Sequence, residues 1–172
     1  PHQGRDAHAP RPFSPPGDTM LLSEYLRARG IDWQTIKALS VRQPYASQIV
    51  CGEKTIEWRS KPLNYRGPLV ICAAKTAIVT MTNGIDLPVG VALGFVDVIK
   101  CRPMRRADLE AAQVTEWTGP VTGFAWELAD PREVEPVPVK GIVAPWSWAQ
   151  RSGPDLTLCP GWHDTHVLIG LH

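Results

Sequence analysis

A lysine, a glutamate and an arginine follow one another at intervals of three and two residues in Gly52-Glu53-Lys54-Thr55-Ile56-Glu57-Trp58-Arg59. These side-chain types suit a small domain that receives an anionic or polar ligand. Arginine holds a phosphate bidentately through parallel N–H donors. Lysine supplies a point charge or, once burial lowers its proton affinity, a base or nucleophile. Glutamate can orient the lysine, shuttle protons with it, or accept a hydrogen bond from a base edge. Read as a strand, Thr55 to Arg59 puts Thr55, Glu57 and Arg59 on one face and Ile56 and Trp58 on the other. Ile56 and Trp58 then read as core. Glu57 and Arg59 face either a cavity or bulk solvent, and alternation alone leaves both open.

A second group, Ser40-Val41-Arg42-Gln43-Pro44-Tyr45, lies just upstream. A strand over residues 38–41 that turns into a helix at Pro44 leaves backbone N–H groups at the helix start, where anions are favoured. Ser40 and Gln43 add donors. Tyr45 either stacks on a base or anchors the helix in the core. A third group, Trp146 and Trp148 after Lys140-Gly141, is either an aromatic wall for a base or a lid on the core. In Cys159-Pro160-Gly161-Trp162-His163-Asp164-Thr165-His166 the cysteine and histidines match no standard zinc spacing, so neither a metal nor another cofactor is expected. No glycine-rich phosphate loop or nucleophile–His–Asp order is present.

Charge points to the same region. From Lys37 to Lys75 there are seven basic and two acidic side chains, a balance of +5; the rest of the chain has 11 basic against 15 acidic, or −4. A local basic field in a protein of net charge +1 suits an anionic ligand such as phosphate, or is a solvated surface whose charges cluster.

The elements that must position these residues are short. The chain has 172 residues, 44% hydrophobic and 20% charged, with 17 prolines and seven tryptophans. That length supports one domain with a core, and the prolines argue against a helix bundle. Residues 1–19, proline-rich and poor in large apolar side chains, read as a disordered leader; 20–172 read as a single domain. A helix through Leu21, Leu22, Tyr25 and Leu26 is stopped by Gly30, and a second runs from Pro44 to about Cys51 with Gly52 as its stop. Strands are expected over 38–41, 55–59, 69–74, 89–99, 121–128 and 165–171, with a weak helix over 106–114. The segment 134–139 alternates, but its prolines confine it to a sheet edge. No βαβ rhythm or internal repeat appears. The expected fold is α+β, a small mixed or antiparallel barrel with two or three flanking helices. The four separated cysteines read as reduced thiols of a cytoplasmic protein. No apolar run reaches the ~20 residues that span a bilayer.

The ordered motifs resemble the ASCH domain family, a branch of the PUA-like superfamily, over about Leu39 to Trp148. They comprise Leu39-Ser40-Val41-Arg42-Gln43-Pro44-Tyr45-Ala46, where the family usually has tryptophan at the Tyr45 position, and the family's G-x-K-x-x-E-x-R signature from Gly52 to Arg59. Tyr65-Arg66-Gly67-Pro68-Leu69-Val70-Ile71, then Val91 to Val98, and Val139-Lys140-Gly141 followed by Trp146 continue the order. The spread is similar to the ASCH domain of activating signal cointegrator proteins. The resemblance implies a PUA-like barrel with a cleft beside the helix after the first strand, and RNA, DNA or modified nucleosides as ligands. It places Lys54, Glu57 and Arg59 in the cleft, Ser40 and Gln43 opposite, and Lys75 and Lys140 near the rim.

Some bacterial members are amidohydrolases acting on acetylated cytidine, and others cut RNA. The amidohydrolases use a lysine, a threonine three residues on and a distant glutamate. Lys54 matches that lysine, but Glu57 occupies the threonine's place.

Two functions are therefore expected to compete. In the first, a nucleic-acid-binding monomer, Arg42, Lys54, Arg59, Lys75 and Lys140 contact phosphates, Tyr45 or Trp146 stacks a base, and Glu57 or Gln43 reads a base edge. In the second, a hydrolase, Lys54 and Glu57 are catalytic.

Overall fold

The computed structural model describes residues 19–82, 84–140, 144–151 and 153–159. The expected leader, the turn after Cys159 and the closing strand over 165–171 lie outside the described residues, apart from Thr19.

The first helix, α1 (Leu22–Ala28), buries Leu22 and Leu26, one turn apart on one face. The Glu24 carboxylate accepts from the Leu21 N–H at 3.0 Å, which satisfies a donor that the helix start leaves open. The first strand, β1 (Lys37–Val41), follows a 3-10 turn at Trp33–Thr35 that is capped by the Asp32 side chain. Helix α2 (Tyr45–Val50) buries Ala46, Ile49 and Val50. It stops at Gly52, whose φ of 86° is the left-handed conformation that a side chain disfavours.

The remaining strands are β2 (Ile56–Arg59), β3 (Gly67–Ala73), β4 (Met81–Thr82), β5 (Ile85–Asp86), β6 (Val91–Pro103), β7 (Phe124–Pro138) and β8 (Trp146–Ser147). Strands β4 and β5 form a separate hairpin; the other six form one sheet in the order β2-β7-β6-β3-β1-β8. Only β1 and β3 run parallel, and the other pairs are antiparallel. The sheet curls into a half-barrel with α+β, PUA-like architecture, as the sequence led us to expect.

Alternation along β1 explains why both faces of the sheet are covered at its centre. Leu39 and Val41 join Ile49, Leu69, Ile71, Val96 and Trp126 beneath α2. Ala38 faces the other way, among Leu22, Leu26, Val70, Phe95, Trp146 and Trp148. Arg29 ties α1 to the sheet through a 2.6 Å ion pair with Asp97 on β6. A small third cluster joins Ile56, Met104, Ala112 and Ala125 behind β2.

Two expectations are corrected. The segments 121–128 and 134–139 are not separate strands, because β7 runs continuously through both. The interruption at Asp130-Pro131 is absorbed as a bulge. Asp130 takes φ 48°, and the β6–β7 register slips between Phe95 and Asp97. The prolines remain consistent with an outer edge, since β2 covers only the first residues of β7. Further on, among the described residues, that side bonds to the short segment around Thr157 and Cys159. The other correction is the helix over 106–114, which is a 3-10 turn at Arg106–Asp108 followed by further turns. Asp108 is engaged by Arg102 at 2.7 and 2.8 Å and by the Arg105 N–H, contacts that hold the segment in a tight turn.

Gly94 is required where β6 crosses β7. A Cβ there would collide with the Arg132 carbonyl and come within 2.9 Å of Val50.

Candidate functional site

Strand β2 is anchored at its start and paired along its length with β7. The Lys54 N–H donates to the Gln48 carbonyl of α2, and the Thr55 and Ile56 N–H groups both donate to Ala111. Glu57 pairs with Trp126 and Arg59 with Phe124 across the ladder to β7. Glu57 and Arg59 therefore share one face of the strand, and that face opens on a cleft of about 420 Å³. Ser40, Arg42, Tyr45, Lys54, Glu57 and Arg59 all line it. The turn at Ala112 and Val114 and the chain after β3 at Ala74 and Thr76 form its other walls.

The charged groups are tightly organised. Lys54 is 4% exposed. Its ammonium donates to the Ala112 carbonyl at 2.7 Å and lies 3.5 Å from Glu57 Oε2. The other oxygen, Glu57 Oε1, accepts from Arg59 Nε at 2.8 Å. A terminal nitrogen of Arg59 reaches the Ser40 carbonyl at 3.4 Å, and the guanidinium lies over the Trp126 ring. Tyr45 presents its ring to the Lys54 ammonium, 5.2 Å from the centroid. Burial pushes the Lys54 pKa below the ordinary lysine value; the nearby Glu57 carboxylate opposes this and Arg59 reinforces it. Arg42 is exposed at the rim. One carboxylate thus stands between two cations, and Arg42 adds a third positive charge to the cleft.

The other predicted site residues lie elsewhere. Gln43, with 0% exposure, is a clamp: its Nε2 donates to Ser47 Oγ and to the Pro88 carbonyl, each at 2.9 Å, and its Oε1 accepts from the Ser47 N–H. With the Ala46 N–H bonded to the Arg42 carbonyl, the helix start offers fewer free donors than the sequence implied. Trp146 pairs with β1 and packs among the residues beneath α1, so it is core and not a wall of this cleft. Lys140 lies beside Trp146, Trp148 and Arg151 in a different cavity of about 260 Å³. Lys75 is exposed, with its stem against Gly90.

The sequence reading missed Trp58. Strand alternation assigned it to the core, yet it lines the cleft while packing on the third cluster. Its Nε1 donates to the Thr122 carbonyl at 2.6 Å, and it meets Trp117 edge-on, with centroids 5.2 Å apart. A strand at the end of a sheet exposes side-chain edges on both faces, which period-2 counting does not capture. Among the described residues, no group of three or more His, Cys, Asp or Glu side chains is placed to hold a metal ion, and no helix is long and apolar enough to cross a membrane.

No curated protein matches the chain. Among solved structures, the crystal structure of ASCH from Zymomonas mobilis aligns with a TM-score of 0.47 at 22% identity, over 62% of this chain and 75% of that one. The crystal structure of a tyrosine-to-phenylalanine mutant of ZmASCH, from the same organism, gives 0.46 at 19% identity, over 79% of this chain and 97% of that one. Residues 39–138, more than half of the chain, match the profile of the ASCH domain, and the protein belongs to the ASCH domain family.

Proposed function

We propose that the cleft beside β2 binds nucleic acid, with single-stranded RNA or DNA as the ligand. The observation that carries the reading is that Arg42, Lys54 and Arg59, the last two paired with one carboxylate, line a cleft that also holds the rings of Tyr45 and Trp58. Cations that follow a backbone, with aromatic faces on which bases stack, are the recurring means of single-strand binding. Glu57 faces the cleft between two cations, where it can accept from a base edge. The link of the family as a whole to RNA binding supports the same reading. Tyr45 and Trp58 replace Trp146 as the stacking residues, because Trp146 is enclosed in the core.

Fluorescence anisotropy with single-stranded RNA and DNA over a range of salt tests this. Affinity is expected to fall with salt, and Arg42→Ala to lower the log–log slope by about 0.7, one single-strand phosphate contact. An affinity that stays flat from low to high salt rules the reading out.

A second reading, a hydrolase, rests on the Lys54 ammonium. Its lowered pKa and its place 3.5 Å from Glu57 suit a base or nucleophile that exchanges protons with the carboxylate. Incubation with acetylated cytidine and with RNA, beside a Lys54→Ala control, decides it. Equal inactivity of the two proteins on both substrates removes this reading for those substrates and leaves the binding one.

A further inference from the structure

Arg59 lines a second cavity as well as the cleft. Beyond the end of β2 the chain turns through Ser60, Lys61, Pro62 and Leu63. These residues, together with Arg59, Trp126 and Pro145, enclose about 340 Å³. The turn is fixed to the sheet at two points. Trp126 Nε1 donates to the Lys61 carbonyl at 3.2 Å, and the Leu63 N–H donates to Cys101 Sγ at 3.3 Å. The lining is mostly apolar and includes the cationic residues Arg59 and Lys61. Arg59 therefore lines both cavities.

We infer that the ligand is a single strand of at least two nucleotides, one base in the cleft and the next in the Leu63–Trp126 cavity, with the linking phosphate at Arg59. The inference rests on the nucleic-acid reading of the cleft and adds the length and form of the ligand. Each cavity lies toward the lower end of the range for small-molecule sites, so each suits one nucleoside. The second cavity has a mostly apolar lining that includes two cationic residues, which fit the flat face of a base and the charge of its phosphate. Few side chains there can read a base edge, so the second base is held without regard to its identity. A duplex does not fit, because its bases are paired and stacked away from such slots.

Titration of the full chain with uridine 5′-monophosphate, with the dinucleotide pUpU and with a short oligouridylate tests this. Two exposed positions at the second cavity are changed: Lys61→Glu reverses its charge, and Ala144→Trp fills it. The wild type is expected to bind pUpU about tenfold more tightly than the monophosphate, the gain from one further base held against the apolar lining of the second cavity. Ala144→Trp should keep the monophosphate affinity, which also reports that it is folded, and lose the gain for pUpU; Lys61→Glu should lose that gain as well. Equal affinity of the wild type for monophosphate and dinucleotide overturns the inference while leaving the cleft as a nucleotide site. So does a gain that survives both variants. Absence of binding to every probe removes the cleft reading and the inference together.

Discussion

Arg59 Nε donates to Glu57 Oε1 at 2.8 Å, two residues back on the same face of β2, while Lys54 approaches the other oxygen of that carboxylate. Glu57 is the counter-charge that allows two cations to sit side by side in a cleft wall. Its removal leaves Lys54 and Arg59 facing each other with the carboxylate gone. Glu57→Gln is expected to lower stability by roughly 3 kcal/mol, as when one partner of a buried pair is deleted. Urea denaturation measures it, and a change below about 0.5 kcal/mol shows that solvent already screens the pair.

The lowered pKa of Lys54 gives the cleft a pH response. A depressed lysine pKa means that the ammonium is lost before pH reaches the ordinary value of 10.5. Nucleic-acid affinity at fixed salt should therefore begin to fall at a lower pH than an exposed lysine would give. Lys54→Met should start weaker and lack that part of the decline. Parallel pH profiles for the two proteins would separate Lys54 from the contact.

Two buried thiols give stability an alkaline dependence. Burial raises Cys51 from 9.0 to about 11 and Cys72 to about 12. A raised folded-state pKa contributes stability that is full below pH 9 and lost as pH rises through these values. Thermal unfolding followed from about pH 8 upward should show Tm falling above the ordinary thiol value of 9.0. Cys72→Ala should flatten that fall even if it lowers Tm at neutral pH.

Gln43 joins α2 to the segment after the β4–β5 hairpin. Its side-chain amide bonds both Ser47 and Pro88, and its backbone carbonyl accepts from the N–H groups of Ile78 and Val79. Gln43→Ala leaves buried partners unsatisfied and should cost about 2 kcal/mol. Hydrogen exchange should quicken across the hairpin and the residues leading into it, which carry exposed Ile78, Met81 and Ile85. Uniform quickening over the whole sheet would instead mark a purely global loss.

Much of the frame was legible in the chain. Leu22 and Leu26 at helical spacing placed α1, and Gly52 after an apolar turn placed the end of α2. The alternation Ile56, Glu57, Trp58, Arg59 put the two charges on one face of β2. These are local properties, fixed by the backbone periods of helix and strand, and so a single sequence carries them. The continuity of β7 was not legible, because the bulge at Asp130-Pro131 depends on the partner strand. The turn after Arg105 was hidden too, since Arg102 and Asp108 meet only once β6 is in place. The same division runs through the site. The sequence supplied Lys54, Glu57 and Arg59 as neighbours with the chemistry of an anion site. Only the folded sheet enclosed Lys54 under the Ala112 carbonyl, turned Gln43 into a clamp, put Trp146 in the core and brought Trp58 to the cleft. Burial and long-range hydrogen bonding decide those roles, and neither is a property of residues adjacent in the chain.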